Sequence, residues 1–440
     1  MKIFIFEPKK CFDNELIKHI DLKSVFAKSV HFKLLFPKDS YEVVQNPVSA
    51  DFIVLPHDVQ TVINNLGLFG LLGLFDRCDL YHKFYWKFIF IYVDDCSWKI
   101  PMSGTWLRLS FDNRVSSDES ICIPCFCDDF CQYFAEGIDL KNTDNCIFRG
   151  NFVGATHTHP IRHKLISYLS HNNFWSKVFL LIRTNFHSNP LIDIFEREKR
   201  KRHLVEAINK SYMTFCPRGT AMTSTRFYET MSLGRIPILF AEYGSLPFQD
   251  EINYQEFSFN ISYDKFNEIG KILDTSDKKL EIMCNTSYKI YHEFLSPKSY
   301  GKKLVDFLKK NKGKIYETRK NDSIFHCQLD KVSLYDYCFD YLLKYQEEEE
   351  LVNVFELANH LSSSTDDANK IELLNYIRQK SVEHIGFQIT TTSVAYLEAL
   401  RIFLNKEHGI KFRKDQVSDS LKEPEDFGLI TQSYIENVLE

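Results

Sequence analysis

YMTFCPRGTAMTSTRFYETMSLGRIPIL, residues 212–239, decides how the rest of the chain is read. An apolar run ends in the turn Pro217-Arg218-Gly219. A hydroxyl-rich loop follows, then one amphipathic helix, and a second apolar run begins after Gly234. This order predicts a β-loop-α-β unit with a cation at the top of its first strand, where an open α/β sheet binds a phosphorylated ligand.

The residue types suit that ligand. Gly219 tolerates backbone conformations that a Cβ resists. Thr220, Thr223, Ser224 and Thr225 place hydroxyls and amides at the helix start, where unpaired N–H groups and the helix dipole favour an anion. Arg226 and Glu229 are three apart and share a helix face. An Arg there can hold a diphosphate bidentately, and a Glu one turn on can accept from two ribose hydroxyls. The competing reading is a surface ion pair worth ~0.3–0.5 kcal/mol.

The chain has 440 residues, which suits two or three domains, and its 44% hydrophobic and 26% charged composition is that of a globular protein. A net charge of -5 gives no support to a nucleic-acid partner. The basic run KRKR (199–202) follows Glu196 and Glu198 in a helical pattern and reads as a solvated helix face. LGLFGLLGLF (66–75) is far short of the roughly 20 residues that span a membrane, so a buried helix is expected. No signal sequence is read in MKIFIFEPKK, and twelve scattered cysteines fit a reducing compartment. The cluster Cys122, Cys125, Cys127 and Cys131 is too crowded for a good zinc site; it reads as a strand leaving a sheet.

Taken in order, strands are expected at 2–6, 31–36, 51–55, 87–93, 106–110 and 121–126, with a helix at 59–75. A second series has strands at 145–149, 178–182 and 256–261 around the opening unit, with helices at 161–169, 193–209 and 263–273. The alternation predicts two α/β domains, 1–140 and 141–315, a linker at 312–322 and an α-helical extension at 323–440, a packing or oligomer element.

CPRGTAMTSTRFYETMSLGRIPIL followed by LPFQDEINYQEFSFNI resembles the exostosin family of glycosyltransferases, family 47, with its Cys-Pro-x-Gly turn, Ser-x-Arg-Phe-x-Glu helix, Gly-x-Ile-Pro-Ile strand and Leu-Pro-Phe loop. FRGN (148–151) with Arg162, ADFIVLP (50–56) and ICIPCF (121–126) extend the likeness more weakly. The resemblance implies an α/β GT-B architecture, two Rossmann-like domains facing a cleft. It also implies inverting, metal-independent transfer from a nucleotide sugar, taken here as a UDP-sugar, to a glycan acceptor, with no cofactor. In that scheme Arg226 neutralises the leaving diphosphate, Glu229 holds the ribose, and Arg218 and Arg162 complete a donor pocket with Gly219, Thr223 and Ser224. A general base must come from the first domain. Asp58, past the 51–55 strand, is the first candidate, and Asp95 and Asp94 follow. His157, His159 and His163 are read as donor-loop or surface residues rather than metal ligands. Many members of that family are anchored in a Golgi membrane by an N-terminal helix, whereas this sequence opens on a strand. A cytoplasmic, microbial or viral enzyme without a membrane span, at most membrane-peripheral, is therefore expected. A silent donor-binding subunit and a GDP-dependent, fucosyltransferase-like enzyme are the alternatives.

Overall fold

The computed structural model describes residues 1–18, 20–26, 28–93, 100–109, 111, 119–127, 130, 143–156, 159–172, 174–183, 193–219, 221–240 and 244–326. Strands β1 (Lys2–Ile5), β2 (Glu42–Val43), β3 (Phe52–Asp58), β4 (Phe88–Tyr92), β5 (Thr105–Arg108) and β6 (Ser120–Cys122) form a six-stranded sheet of order β2-β1-β3-β4-β5-β6. Strands β7 (Phe148–Ala155), β8 (Val178–Arg183), β9 (Ser211–Pro217), β10 (Ile236–Phe240) and β11 (Phe259–Asn260) form a second, of order β11-β10-β9-β7-β8. Every pairing within both sheets is parallel. The continuous apolar runs explain this, because β4 is buried along its whole length and so needs cover on both faces. Each sheet reverses its strand order once, between β1 and β3 and between β7 and β9.

The helices that shape the site are α1 (Val30–Leu35), α2 (Val59–Asp76), α3 (Pro160–His171), α4 (Ile194–Asn209), α5 (Thr225–Ser232), α6 (Asp277–Ile290) and α7 (Tyr300–Lys320). The apolar stretch at 66–75 lies in α2 with Leu71, Leu72, Leu74 and Phe75 buried. No helix among the described residues is long and apolar enough to cross a membrane. In the basic run of α4, Lys199 and Arg202 are exposed, while Arg200 and Lys201 are half-buried.

Loops at the carboxyl ends of the two sheets face each other. The Ser245 amide donates to the Phe111 carbonyl at 3.2 Å, and the Cys122 thiol to the Ser245 carbonyl at 3.3 Å. Farther along, the Cys125 sulfur is 3.1 Å from the Thr225 hydroxyl and the Cys127 sulfur 3.8 Å from the Tyr291 hydroxyl. The cysteine cluster thus follows β6 into the cleft as the sequence suggests; Cys131 lies outside the described residues. Ile3, Phe52, Val54, Ile89 and Ile91 of the first sheet share one apolar cluster with Phe227, Tyr228 and Met231 of α5 and with Tyr300 and Leu304 of α7. The result is two parallel-sheet α/β units whose carboxyl-end loops meet.

Four expectations are corrected. Residues 31–36 are helix α1, because the Ser29 hydroxyl accepts the His31 amide at 3.2 Å and starts a helical turn; Glu42–Val43 takes the sheet edge instead. β7 continues past Arg149, where the expected strand ends, to Ala155, its pairing on both sides overriding its two glycines. The last strand of the second series is only Phe259–Asn260. The linker at 312–322 is mostly the end of α7. Its charges conceal a packing face: Tyr316 donates to the Asp51 carbonyl, Lys312 reaches the Asp51 carboxylate at 2.7 Å, and buried Arg319 meets Glu119 and Asp322. The chain then runs beside the first sheet, the Ser103 amide donating to the Ile324 carbonyl at 2.9 Å. Residues 327–440, nearly all of the expected helical extension, lie outside the described residues.

α7 comes close to α1 at Gly301. A Cβ at that position would collide with the Leu34 carbonyl oxygen and stand 2.7 Å from the Pro37 ring. Gly301→Ala is therefore expected to destabilise the protein by about 1–3 kcal/mol, although alanine favours helix. Urea unfolding would show it as a lower midpoint with unchanged slope, and an unchanged midpoint would refute this packing.

Candidate functional site

The second sheet reverses between β7 and β9, and a crevice opens at such a point beyond the strands' carboxyl ends. Asn151 of the FRGN segment holds the two strands together. Its amide nitrogen donates to the Met213 carbonyl at 3.0 Å and the Thr214 hydroxyl at 2.9 Å. At the carboxyl end Arg162, from α3, makes a second clamp. Its three guanidinium nitrogens donate to the carbonyls of Ala155 (2.8 Å), Arg218 (3.0 Å) and Pro217 (3.3 Å). Arg162 therefore fixes the shape of the Pro217-Arg218-Gly219 turn, and most of its donors are already engaged.

α5 starts just beyond that turn. Thr223 and Ser224 are buried at its start, and the Ser224 side chain does not cap the helix. Arg226 and Glu229 form an ion pair with side chains only 15% and 4% exposed, and Arg226 also donates to the Val153 carbonyl of β7 at 3.3 Å. The surface-pair reading is excluded by this burial. Arg218 is half-buried, its Nε 3.4 Å from the Gly219 carbonyl. Thr220 lies outside the described residues.

A residue that sequence reasoning missed completes the picture. Arg183 ends β8 in register with Ala155. Burial first, and then the Arg226 charge, draw the guanidiniums of both Arg162 and Arg183 down to about 10. Three arginines thus gather about the last residues of β7; Glu229 pairs with one of them, Arg226, while the Glu196 charge reaches Arg183. The position of Arg183 as the final residue of the run VFLLIR was the available signal, since site residues gather at strand carboxyl ends.

Behind the site, Gly234 adopts a φ of 62° that ends α5. Fully buried Arg235 then donates to the carbonyls of Leu233, Gly234 and Asn209 at 3.1–3.3 Å, facing the carboxyl ends of α5 and α4. In the Leu-Pro-Phe loop, Phe248 holds a φ of 50° while its ring lies 5.1 Å from Tyr300.

The proposed bases divide. Asp58 ends β3 and caps α2; its Oδ1 accepts the amides of Gln60 (3.2 Å) and Val93 (3.1 Å), and burial raises its pKa. Asp94 and Asp95 lie outside the described residues. Among the histidines, His159 caps α3, His163 is exposed, and His157 lies outside the described residues.

Residues 139–276 match the profile of the Exostosin GT47 domain. A probable glycosyltransferase of Arabidopsis thaliana is 35% identical over 68 residues, 16% of this chain and 14% of that protein. A probable glucuronosyltransferase of Oryza sativa subsp. japonica is 30% identical over 122 residues, 27% of this chain and 29% of that protein. A probable beta-1,4-xylosyltransferase of Arabidopsis thaliana is 29% identical over the same shares. The chain thus spans less than a third of the length of the curated relatives it matches. Among solved structures, Anabaena HepE in complex with UDP and glucose aligns at 11% identity and a TM-score of 0.35, covering 70% of this chain and 100% of that one. An alpha1,3-fucosyltransferase aligns at 14% and 0.32, covering 74% and 91%.

Breaking the buried pair on one side leaves an uncompensated charge. Glu229→Ala is expected to lose about 3–5 kcal/mol, whereas Arg226→Met combined with Glu229→Leu should regain most of that stability. Equal denaturant midpoints for Glu229→Ala and the double variant would contradict the pairing.

Proposed function

We propose that this chain, whose residues 139–276 match an Exostosin GT47 domain, is a glycosyltransferase that moves a sugar from a nucleotide-sugar donor, a UDP-sugar, to a glycan acceptor with inversion. The observation that carries the reading is the guanidinium cluster at the β7–β9 crevice, beside the uncapped start of α5. The names of the partial relatives, a probable glucuronosyltransferase and a probable xylosyltransferase, agree with sugar transfer.

The chemistry follows from the charges. As the anomeric carbon leaves the diphosphate oxygen, the electron pair of the breaking bond stays on the diphosphate, and negative charge develops there. Fixed guanidiniums and helix amides stabilise that charge without reorganising. A metal is not required for this role, so turnover is expected to persist in EDTA. On the opposite face the acceptor oxygen forms the new bond and yields its proton to a base. Asp58, at the carboxyl end of β3 next to the first sheet's own reversal, is proposed for that task. Its raised pKa makes it a stronger base than an ordinary carboxylate.

An Asn at position 58 keeps a carbonyl oxygen for both amides and cannot take a proton. Asp58→Asn should therefore leave the melting temperature nearly unchanged while lowering kcat by about 10²–10⁴-fold. In the unaltered enzyme, activity should fall as pH drops through the raised Asp58 pKa, which places the acid limb above the usual carboxylate value of about 3.9. Full turnover by Asp58→Asn would reduce Asp58 to a helix cap. The nucleotide is tested by thermal shift: UDP at about 100 times its Kd should stabilise by about 2.7 kcal/mol, and stabilisation by GDP alone would overturn the UDP assignment.

A further inference from the structure

We propose that Arg183 is a second ligand of the donor diphosphate, gripping it from the β8 side while Arg226 grips it from α5. The inference rests on the donor-site reading above and adds a residue to it.

The argument starts from the sheet register. Arg183 pairs with Ala155, whose carbonyl takes a nitrogen of Arg162 at 2.8 Å. Two residues earlier in β7, the Val153 carbonyl takes a nitrogen of Arg226 at 3.3 Å. One strand end thus gathers three guanidiniums, and their engagements differ. Arg162 is bound to three carbonyls, and Arg226 to Glu229 and Val153. Among the described residues Arg183 makes one hydrogen bond, from Nη2 to the Arg200 carbonyl at 2.9 Å. A guanidinium has five N–H donors in a planar fork, so most of Arg183's remain available. The carboxylate whose charge reaches Arg183, that of Glu196, is held by Arg200 at 2.8 Å. The positive charges of Arg226 and Arg200 act on Arg183 as well.

Like charges brought together at a strand end, in a half-exposed position that a ligand can reach, are relieved by an anion placed between them. A diphosphate carries two negative groups side by side and offers oxygens to both cations. Arg162 then acts as a positioning residue, holding β7 and the Arg218 turn at the spacing that lets Arg226 and Arg183 close on one ligand. A purely structural role for Arg183, as a strut between β8 and α4 through the Arg200 carbonyl, would make its loss felt equally by every ligand.

The experiment measures binding of UDP, inorganic pyrophosphate and uridine by calorimetry to the full chain and to Arg183→Gln and Arg183→Lys. Losing a charge-assisted contact should raise the Kd of UDP and of pyrophosphate by about tenfold or more, with the Kd of uridine unchanged. Lysine, which keeps the charge but not the fork, should show a smaller loss of the same selectivity. If Arg183→Gln fails to fold, that selectivity in Arg183→Lys decides the matter. Unchanged UDP binding, or equal weakening of UDP and uridine, would overturn the assignment of Arg183 and leave the donor site standing. A full chain that binds neither UDP, GDP nor pyrophosphate would overturn the donor-site reading, and this inference with it.

Discussion

The placement of β9 next to β7 is the constraint from which the site follows. β8 and α4 lie between them in sequence, so the chain must cross over to bring Ser211–Pro217 alongside Phe148–Ala155. A crossover of this kind leaves the carboxyl ends open, because the helices that follow β7 and β9 lie on opposite faces of the sheet. An open crevice with bare carbonyls at its mouth is unstable unless something bonds them. Asn151 bonds inside the sheet and Arg162 at the rim, with one guanidinium meeting three carbonyls. These two side chains fix the turn from which α5 starts, and the direction of α5 fixes Arg226 and Glu229.

α5 also couples this crevice to the rest of the molecule. One side carries the Arg226–Glu229 pair toward β7, while Phe227, Tyr228 and Met231 share an apolar cluster with residues of the first sheet and of α7. Burial of those side chains stabilises the junction by roughly 1.5–3 kcal/mol for each large one, far more than the polar contacts across the cleft. The cost of placing Phe248 at a positive φ, of order 1–3 kcal/mol, is offset in the same place. Its ring is 8% exposed and lies among Tyr300 and Phe307. The Leu-Pro-Phe loop is thus a fastener between the second sheet and α7.

Much of this was legible in residues 212–239. Strand, turn, helix and strand appear there in the order read, because local period and the Pro-Gly turn agreed with the tertiary outcome. The reading failed where tertiary contacts override local pattern. At 312–322, high charge suggested a linker, yet Tyr316 bonds Asp51 and Arg319 meets buried Glu119, partners far away in sequence that no local window contains. At 31–36, a single capping hydroxyl outweighed β-favouring residues. Arg162, placed in the donor pocket by the family resemblance, has carbonyl partners on strand ends whose adjacency only the fold reveals. Arg183 escaped for the same reason. Its significance lies in a register with Ala155 that is set by sheet order, not by spacing in the chain.

The buried ion pair explains how one helix can serve both a charged ligand and a dry interface. An isolated guanidinium at 15% exposure would be costly, and Glu229 compensates it in the absence of ligand. Arg226 meets Glu229 through Oε2. The same arrangement preorganises both side chains. Arg226, tied to Val153 on β7 and Glu229 on its own helix, loses little rotamer freedom when a diphosphate arrives. In the proposed reaction the cation that meets the developing charge is thus held in position beforehand, which is the condition under which electrostatic stabilisation lowers a barrier rather than merely tightening ground-state binding.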